Sequence, residues 1–384
     1  MADTFTETTT RSWSSRIGGS FKGILFGLVL IAVSFPLLWW NEGRAIDRAK
    51  TLAAGRDAVV SITPSPIDPA NEGALVHLSG LATTRDQLSD DVFGVSARAI
   101  KLKRSVEMYQ WTEEQGSKTT KNLGGSETTE TTYSYERRWS DTWVDSSRFR
   151  QPSGHENPAS MPYESQTAQA ARVTLGAFAL AARFVSQMDA FEPLNVAMSD
   201  RVPAGFSSHA GGYYRGSPAS PQIGDIRVAF AVVDPMDVSA IGRQRGDAIT
   251  TATMARGSIA LLEPGLVDAD AMFDKAETAN RILTWLARLG GVLLMWLGFA
   301  LVLGPLKVLA DVVPFIGTLV GAGTGFIAAL LALALGLITI AVAWVFYRPI
   351  LAAILLGGAV IAILAALFRA RRTTPQPPPP PQAT

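Results

Sequence analysis

Cysteine is missing altogether from this chain of 384 residues, and that one absence closes several functional classes. Disulfides, zinc–thiolate centres, iron–sulfur clusters and cysteine nucleophiles all need a thiol. The redox compartment stays open, because a thiol-free chain is tolerated on either side of a membrane. Histidine is nearly as scarce: His77, His155 and His209 are the full complement, and no two stand at ligand spacing. No metal, cofactor or catalytic residue is assigned on this basis. The formal charge is only +1, so bulk electrostatics gives no reason to expect a nucleic-acid partner.

Charge is also missing from long stretches of the chain. Gly23 to Trp40 carries none, a length within the range of a membrane-crossing helix, and Trp39 and Trp40 then fall where amphipathic indoles prefer to lie, at headgroup depth. The run is long for a cleaved signal peptide and no small-residue cleavage site follows, which favours an uncleaved anchor. Leu289–Leu306 is a second uncharged run, between Arg288 and Lys307. From Val312 to Tyr347 there is no charge at all; one straight helix of that length would measure about 54 Å against a hydrocarbon core of about 30 Å. Pro314, Gly317, Gly321, Gly323 and Gly325 place the expected break in its first part, leaving 311–320 as a re-entrant or in-plane element and 321–347 as the third span. Pro349–Phe368 is the fourth.

Arg11, Arg16 and Lys22 precede the first span, and Arg369, Arg371 and Arg372 follow the last, so both flanks read as cytoplasmic and the number of spans is even. The expected plan is therefore a disordered cytoplasmic tail at 1–22, spans at 23–40, 282–310, 321–347 and 349–368, and a basic, proline-rich cytoplasmic tail at 369–384. Between the first two spans, 41–281 forms a large extracytoplasmic domain. Within it "DAVVSI" (57–62), "ALVHLSG" (74–80), "IKLKRSVEMYQW" (100–111), "DIRVAFAVV" (225–233) and "GSIALL" (257–262) alternate as half-buried strands do. The Ala-rich stretch 168–188 predicts an amphipathic helix, and 268–288 another that runs on into the second span. The fold class is α+β: four transmembrane helices with a mainly antiparallel β-rich domain inserted between the first and second.

Three groups of residues stand out as site candidates. Trp39, Trp40, Asn41, Glu42 and Arg44 cluster where the first helix leaves lipid, and partly desolvated charges there are costly unless paired, which makes the cluster a docking candidate. The plainer reading is that Glu42 and Arg44 project into headgroups. Gly317, Gly321 and Gly325 are spaced for close helix packing in lipid; they lack the Lys-Ser/Thr ending of a phosphate loop. His155 and Asn157 lie in a loop, 139–161, that also holds serine and aspartate, yet no nucleophile elbow accompanies them, so satisfied backbone groups are expected rather than hydrolysis.

"NEGRA", "NEGALVHLSG" (71–80), "VEMYQW" (106–111), "YSYERRWSD" (133–141), "GHENPASM" (154–161), "GDIRVAF" (224–230), "IGRQRGD" (241–247) and "FYRPILA" (346–352) occur in this order. Together they closely resemble the transmembrane protein 43 (LUMA) family over about 20–370. The resemblance implies four spans, one large lumenal or periplasmic domain and, in animals, non-enzymatic organisers of membrane protein complexes at the endoplasmic reticulum and inner nuclear membrane, with partners in the nuclear lamina. An Ala-rich, cysteine-free chain ending in a proline tail suggests a bacterial member, with its domain in the periplasm of an inner membrane. The expected function is a membrane scaffold that binds the bilayer, other membrane proteins or itself as a homo-oligomer. A hydrolase or lipid-modifying enzyme centred on 139–161 is the alternative. A transporter or channel comes third, because the expected spans carry almost no ionisable residues.

Overall fold

The structure is a computed structural model that describes residues 3–347 together with 349, 350 and 361. Its helices are α1 (Trp13–Ala58), the single turn α2 (Ala182–Val185), α3 (Ala269–Val302), α4 (Gly304–Ala310) and α5 (Pro314–Tyr347). The chain divides into two units, one comprising Met1–Arg16, Asp47–Asn280 and Val312–Pro314, the other Ile17–Ile46, Arg281–Asp311 and Phe315–Thr384. The expected fourth span and the C-terminal tail lie outside the described residues.

The first unit is built on two sheets. The larger runs, edge to edge, through Asp3–Arg11, Glu127–Ser140, Lys101–Lys121, Ile226–Val233, Gly212–Arg215 and Phe206–His209. The second centres on Leu75–Thr84 paired antiparallel with Met236–Arg245. Alternation explains the core: Ile226, Val228, Phe230 and Val232 are buried while Arg227 and Ala229 face out, as the two-residue strand period requires. Phe93 fills the centre, stacked on Tyr213 with ring centroids 5.8 Å apart and edge-on to Phe206 at 5.3 Å. Beside it, Arg104 and Asp90 form a buried ion pair. Leu52 of α1 and Met272 and Phe273 of α3 make a smaller core with Ile241 and Ile259.

Three expectations are corrected in this unit. The Ala-rich stretch 168–188 is not a helix. It forms the strands Gln166–Gln169, Val173–Leu175 and Phe178–Leu180, then α2. Gly176 decides this: at φ +60° it turns the chain tightly between the two inner strands, against Pro64, and Val173, Leu175, Phe178 and Leu180 alternate inward around it. Alanine propensity is too weak a preference to resist that packing. Nor is 1–22 an unstructured tail. Asp3–Arg11 is a strand paired in full with Glu127–Tyr135, and α1 begins at Trp13, capped by the Ser12 side chain. The strand expected at 57–62 shrinks to Val60–Ser61, because α1 runs on to Ala58.

The second unit is a bundle of the apolar parts of α1, α3 and α5. Leu38, Met295 and Ala332 are its buried core, with Phe35, Val292, Phe299 and Leu335 around them. Paired positions give the directions. Gly27 meets Gly298 and Leu38 meets Gly291, so α1 and α3 are antiparallel; Gly336 meets Val292 while Trp296 reaches Gly325, so α3 and α5 are antiparallel too. Here a fourth expectation is corrected. The glycines at 317–325 do not break the chain, because α5 is continuous from Pro314 and the break falls at Asp311–Val313, where proline can only begin a helix.

Candidate functional site

Where α1 sheds its apolar character, its side chains turn toward α3 and α5 rather than outward. Glu42 is 1% exposed, and both its oxygens accept from Arg288: Oε1 from Nε at 2.6 Å and Oε2 from Nη2 at 2.8 Å. The indole Nε1 of Trp344 donates to the same Oε2 at 2.8 Å. One carboxylate therefore joins three helices. The Arg288 guanidinium lies over the ring of Trp285, 4.6 Å from its centroid, and 5.7 Å from that of Trp344, so two indoles neighbour the cation.

Beside it a second polar layer repeats the connection between α1 and α3. Asn41, fully buried, donates Nδ2–H to the Thr284 carbonyl at 3.1 Å, and Arg44 donates from Nη2 to Asn41 Oδ1 at 3.1 Å and to Thr284 Oγ1 at 3.2 Å. Thr284 and Arg288 stand four residues apart, one above the other on the same face of α3, which is why the two layers stack. Trp39 packs edge-on against Phe346 at 5.0 Å and beside Tyr347 at 5.8 Å, while Trp40 is exposed. The headgroup reading of Glu42 and Arg44 thus fails for Glu42, which is sealed among side chains of its own bundle.

Arg288 and Trp344 were absent from the candidates drawn from the sequence. The signal was present: Arg288 closes one uncharged run just as Glu42 closes another, and antiparallel neighbours bring such ends to one level. Opposite charges flanking adjacent spans are thus a pairing signal.

Gly317 and Gly321 do admit a close neighbour, since a Cβ on the first would collide with Asp311 and on the second would press on Lys307 at 3.1 Å. They pack α5 against the end of α4. Gly325 has open space where a Cβ would go, and its carbonyl accepts from Trp296 Nε1 at 3.1 Å. A close backbone approach between α1 and α3 belongs to a pair that sequence reasoning did not single out, Gly27 and Gly298; a Cβ on either would strike the other's carbonyl oxygen.

In the first unit, His155 is buried and stacked on Tyr135 at 4.0 Å, with Nδ1 at 3.0 Å from the Gln151 carbonyl and Nε2 at 3.2 Å from Asp3 Oδ2. Asn157 accepts from the Trp111 amide at 2.7 Å and donates to the Trp111 and Val144 carbonyls. Both ring nitrogens of the histidine are thus engaged without a serine hydroxyl, and the arrangement is that of a structural loop.

A separate open cavity of about 380 Å³ is lined in part by Glu107, Trp139, His209, Tyr214 and Arg227. Burial, and a hydrogen bond to Asp225 at 2.9 Å, push the Tyr214 phenol up to about 12.

Three helices among the described residues are long and apolar enough to cross a bilayer and, joined to an antiparallel β-rich unit, define a multi-pass integral membrane protein. The chain belongs to the transmembrane protein 43 family, whose family model matches residues 108–349. It is 37% identical to transmembrane protein 43 of Rattus norvegicus over 356 residues, covering 88% of each chain. Identity to the Homo sapiens protein is 34% over 357 residues, 89% of this chain and 88% of that one. The Drosophila melanogaster homologue is 32% identical over 345 residues, 86% of this chain and 90% of its own. No solved structure matches.

Proposed function

We propose that this chain is a non-enzymatic membrane scaffold whose β-rich unit is displayed outside the cytoplasm and assembles with other membrane proteins or with further copies of itself. In this reading a fourth span, 349–368, completes the bundle, and Arg369, Arg371 and Arg372 remain in the cytoplasm. The compartment is the periplasm of a bacterial inner membrane, or the lumen of the endoplasmic reticulum or nuclear envelope in a eukaryotic cell.

The observation that carries it is the use made of the polar groups. At the helix ends, carboxylate, guanidinium and indole are spent on holding α1, α3 and α5 together; in the 139–161 loop, His155 and Asn157 are spent on backbone groups and Asp3. That distribution favours a rigid framework over a reacting centre. The measurement is native mass in lipid particles, made on the wild type and on His155→Ala. A stable stoichiometric assembly, retained with unchanged function in the variant, is expected. A lone monomer, or a fully assembled His155→Ala protein without function, would overturn the reading.

A further inference from the structure

The outward face of the larger sheet gathers charged and aromatic side chains around a hollow. Glu107, Arg227 and Tyr214 stand directly opposite one another on three neighbouring strands. Trp139 stands opposite Tyr109 across the long hairpin Lys101–Lys121/Glu127–Ser140. The open cavity they border, about 380 Å³, has the size of a small-molecule site.

The hollow has its cause in the strand pattern. Two residues on from Arg227, the next side chain on the same face is only Ala229. Beside it Gly212 approaches so closely that a Cβ would strike the Val228 carbonyl. Large side chains thus surround a floor of small ones. One wall is fixed in advance: the loop carrying Pro218 and Pro221 is pinned by Asp225. Its Oδ2 accepts from the Ser217 amide at 3.2 Å, the Gln222 amide at 3.1 Å and the Tyr214 hydroxyl at 2.9 Å. At the rim, a turn through Ala210 and Gly211, both at positive φ, presents His209 edge-on to Tyr214 at 5.4 Å.

The atoms left uncommitted define the ligand. Arg227 donates from Nε to Glu107 Oε2 at 2.5 Å and lies over the Trp139 ring, 4.6 Å from its centroid. Among the described residues, Glu107 Oε1, Arg227 Nη1 and Nη2, Trp139 Nε1 and both ring nitrogens of His209 have no hydrogen-bond partner. Carboxylate and guanidinium cancel, so the cavity suits a neutral ligand with many polar groups. A hydroxyl both donates and accepts. Two of them on adjacent carbons can span the pair, one donating to Oε1 while the other accepts from Nη. The C–H face of a sugar ring matches the indole and proline walls, which are apolar.

We propose that this cavity is a carbohydrate subsite that holds one hexose unit by two neighbouring hydroxyls, between Glu107 and Arg227. A free oligosaccharide and the sugar headgroup of a glycolipid share this chemistry. Among the described lining residues Glu107 is the only carboxylate, whereas glycoside cleavage generally takes two, so the site binds and does not hydrolyse. The inference concerns the β-rich unit alone and is independent of the scaffold reading.

The full chain, in lipid particles free of sugar-headed detergent, is applied to an array of oligosaccharides of glucose, galactose, mannose and N-acetylglucosamine. Vesicles with and without galactosyl diacylglycerol test the second source. Binding to the array or to the glycolipid vesicles is expected, and silence on both overturns the proposal. Ala229→Leu fills the floor from an exposed position and should abolish binding with the thermal midpoint unchanged; binding retained in that folded variant overturns the site. Glu107→Gln, nearly isosteric and half-buried, should weaken binding by about tenfold or more. It decides the matter if Ala229→Leu does not fold, since unchanged affinity there also overturns the site. A peptide "TTPQPPPPPQAT" is the rival occupant for aromatic and proline walls. If it binds the wild type and not Ala229→Leu while no sugar binds, the cavity is a peptide site and the proposal falls.

Discussion

Glu42 and Arg288 illustrate what a single buried pair commits a membrane helix to. With the carboxylate 1% and the guanidinium 13% exposed, removing either leaves an unpaired charge among side chains, a loss of about 3–5 kcal/mol. Glu42→Ala should therefore destabilise the detergent-solubilised protein by about that amount in equilibrium unfolding, and Glu42→Leu with Arg288→Leu together should cost less than Glu42→Ala alone. A Glu42→Ala protein within 1 kcal/mol of wild type would remove the ion pair from the account of the bundle. Tyr214 gives a second residue-scale test. Its folded value of about 12 lies above the ordinary tyrosine value of about 10, so the fold favours the neutral phenol. That contribution is complete below pH 10 and is lost as pH rises from there through 12. Phenolate absorbance measured against Tyr214→Phe should show one group ionising near pH 12; ionisation of that group near pH 10 would mean the burial is absent in solution.

At the scale of elements, close approach of backbones makes the sharpest forecast. Gly298→Leu must force α1 and α3 apart at Gly27 and should cost about 1–3 kcal/mol or abolish the folded bundle, whereas Gly325→Ala, with open space around it, should leave the thermal midpoint nearly unchanged. Equal effects of the two would contradict the packing. The helices themselves were legible in the sequence because uncharged runs leave no other solution in lipid, and strands such as Ile226–Val233 were legible because one face is buried and the other wet. The stretch at 168–188 was not, since its alanines fit either period and only the contact of Gly176 with Pro64 selects the turn. The uninterrupted α5 was hidden for the opposite reason: of the glycines that look like breaks in isolation, Gly317 and Gly321 make room for Asp311 and Lys307 alongside them.

Over the whole molecule, the residues read least well from sequence were those whose partners lie far along the chain. "DTFTETTTR" has the threonine content of a strand and the polarity of a solvated tail, and only the register with Glu127–Tyr135, more than a hundred residues on, distinguishes the two. Glu42 was recognised as notable while its partner 246 positions later was not. The forecast at this scale concerns the first strand. Removing residues 1–11 should leave the Phe93 core folded, with the Tyr214 titration intact, while exposing the inner hairpin edge; light scattering in detergent should then show a changed assembly size. An unchanged size together with an unchanged hairpin protection pattern in hydrogen exchange would mean that the strand does not hold the edge in solution.

The nearness of Arg288 to both Trp285 and Trp344 has an optical consequence. Indole emission depends on the charge near the ring, and these two rings share one cation while sitting on different helices. Any event that draws α5 away from α3 would alter the colour and intensity of both at once, so a purified variant that keeps only these two of the nine tryptophans would carry a built-in fluorescent gauge of its own bundle.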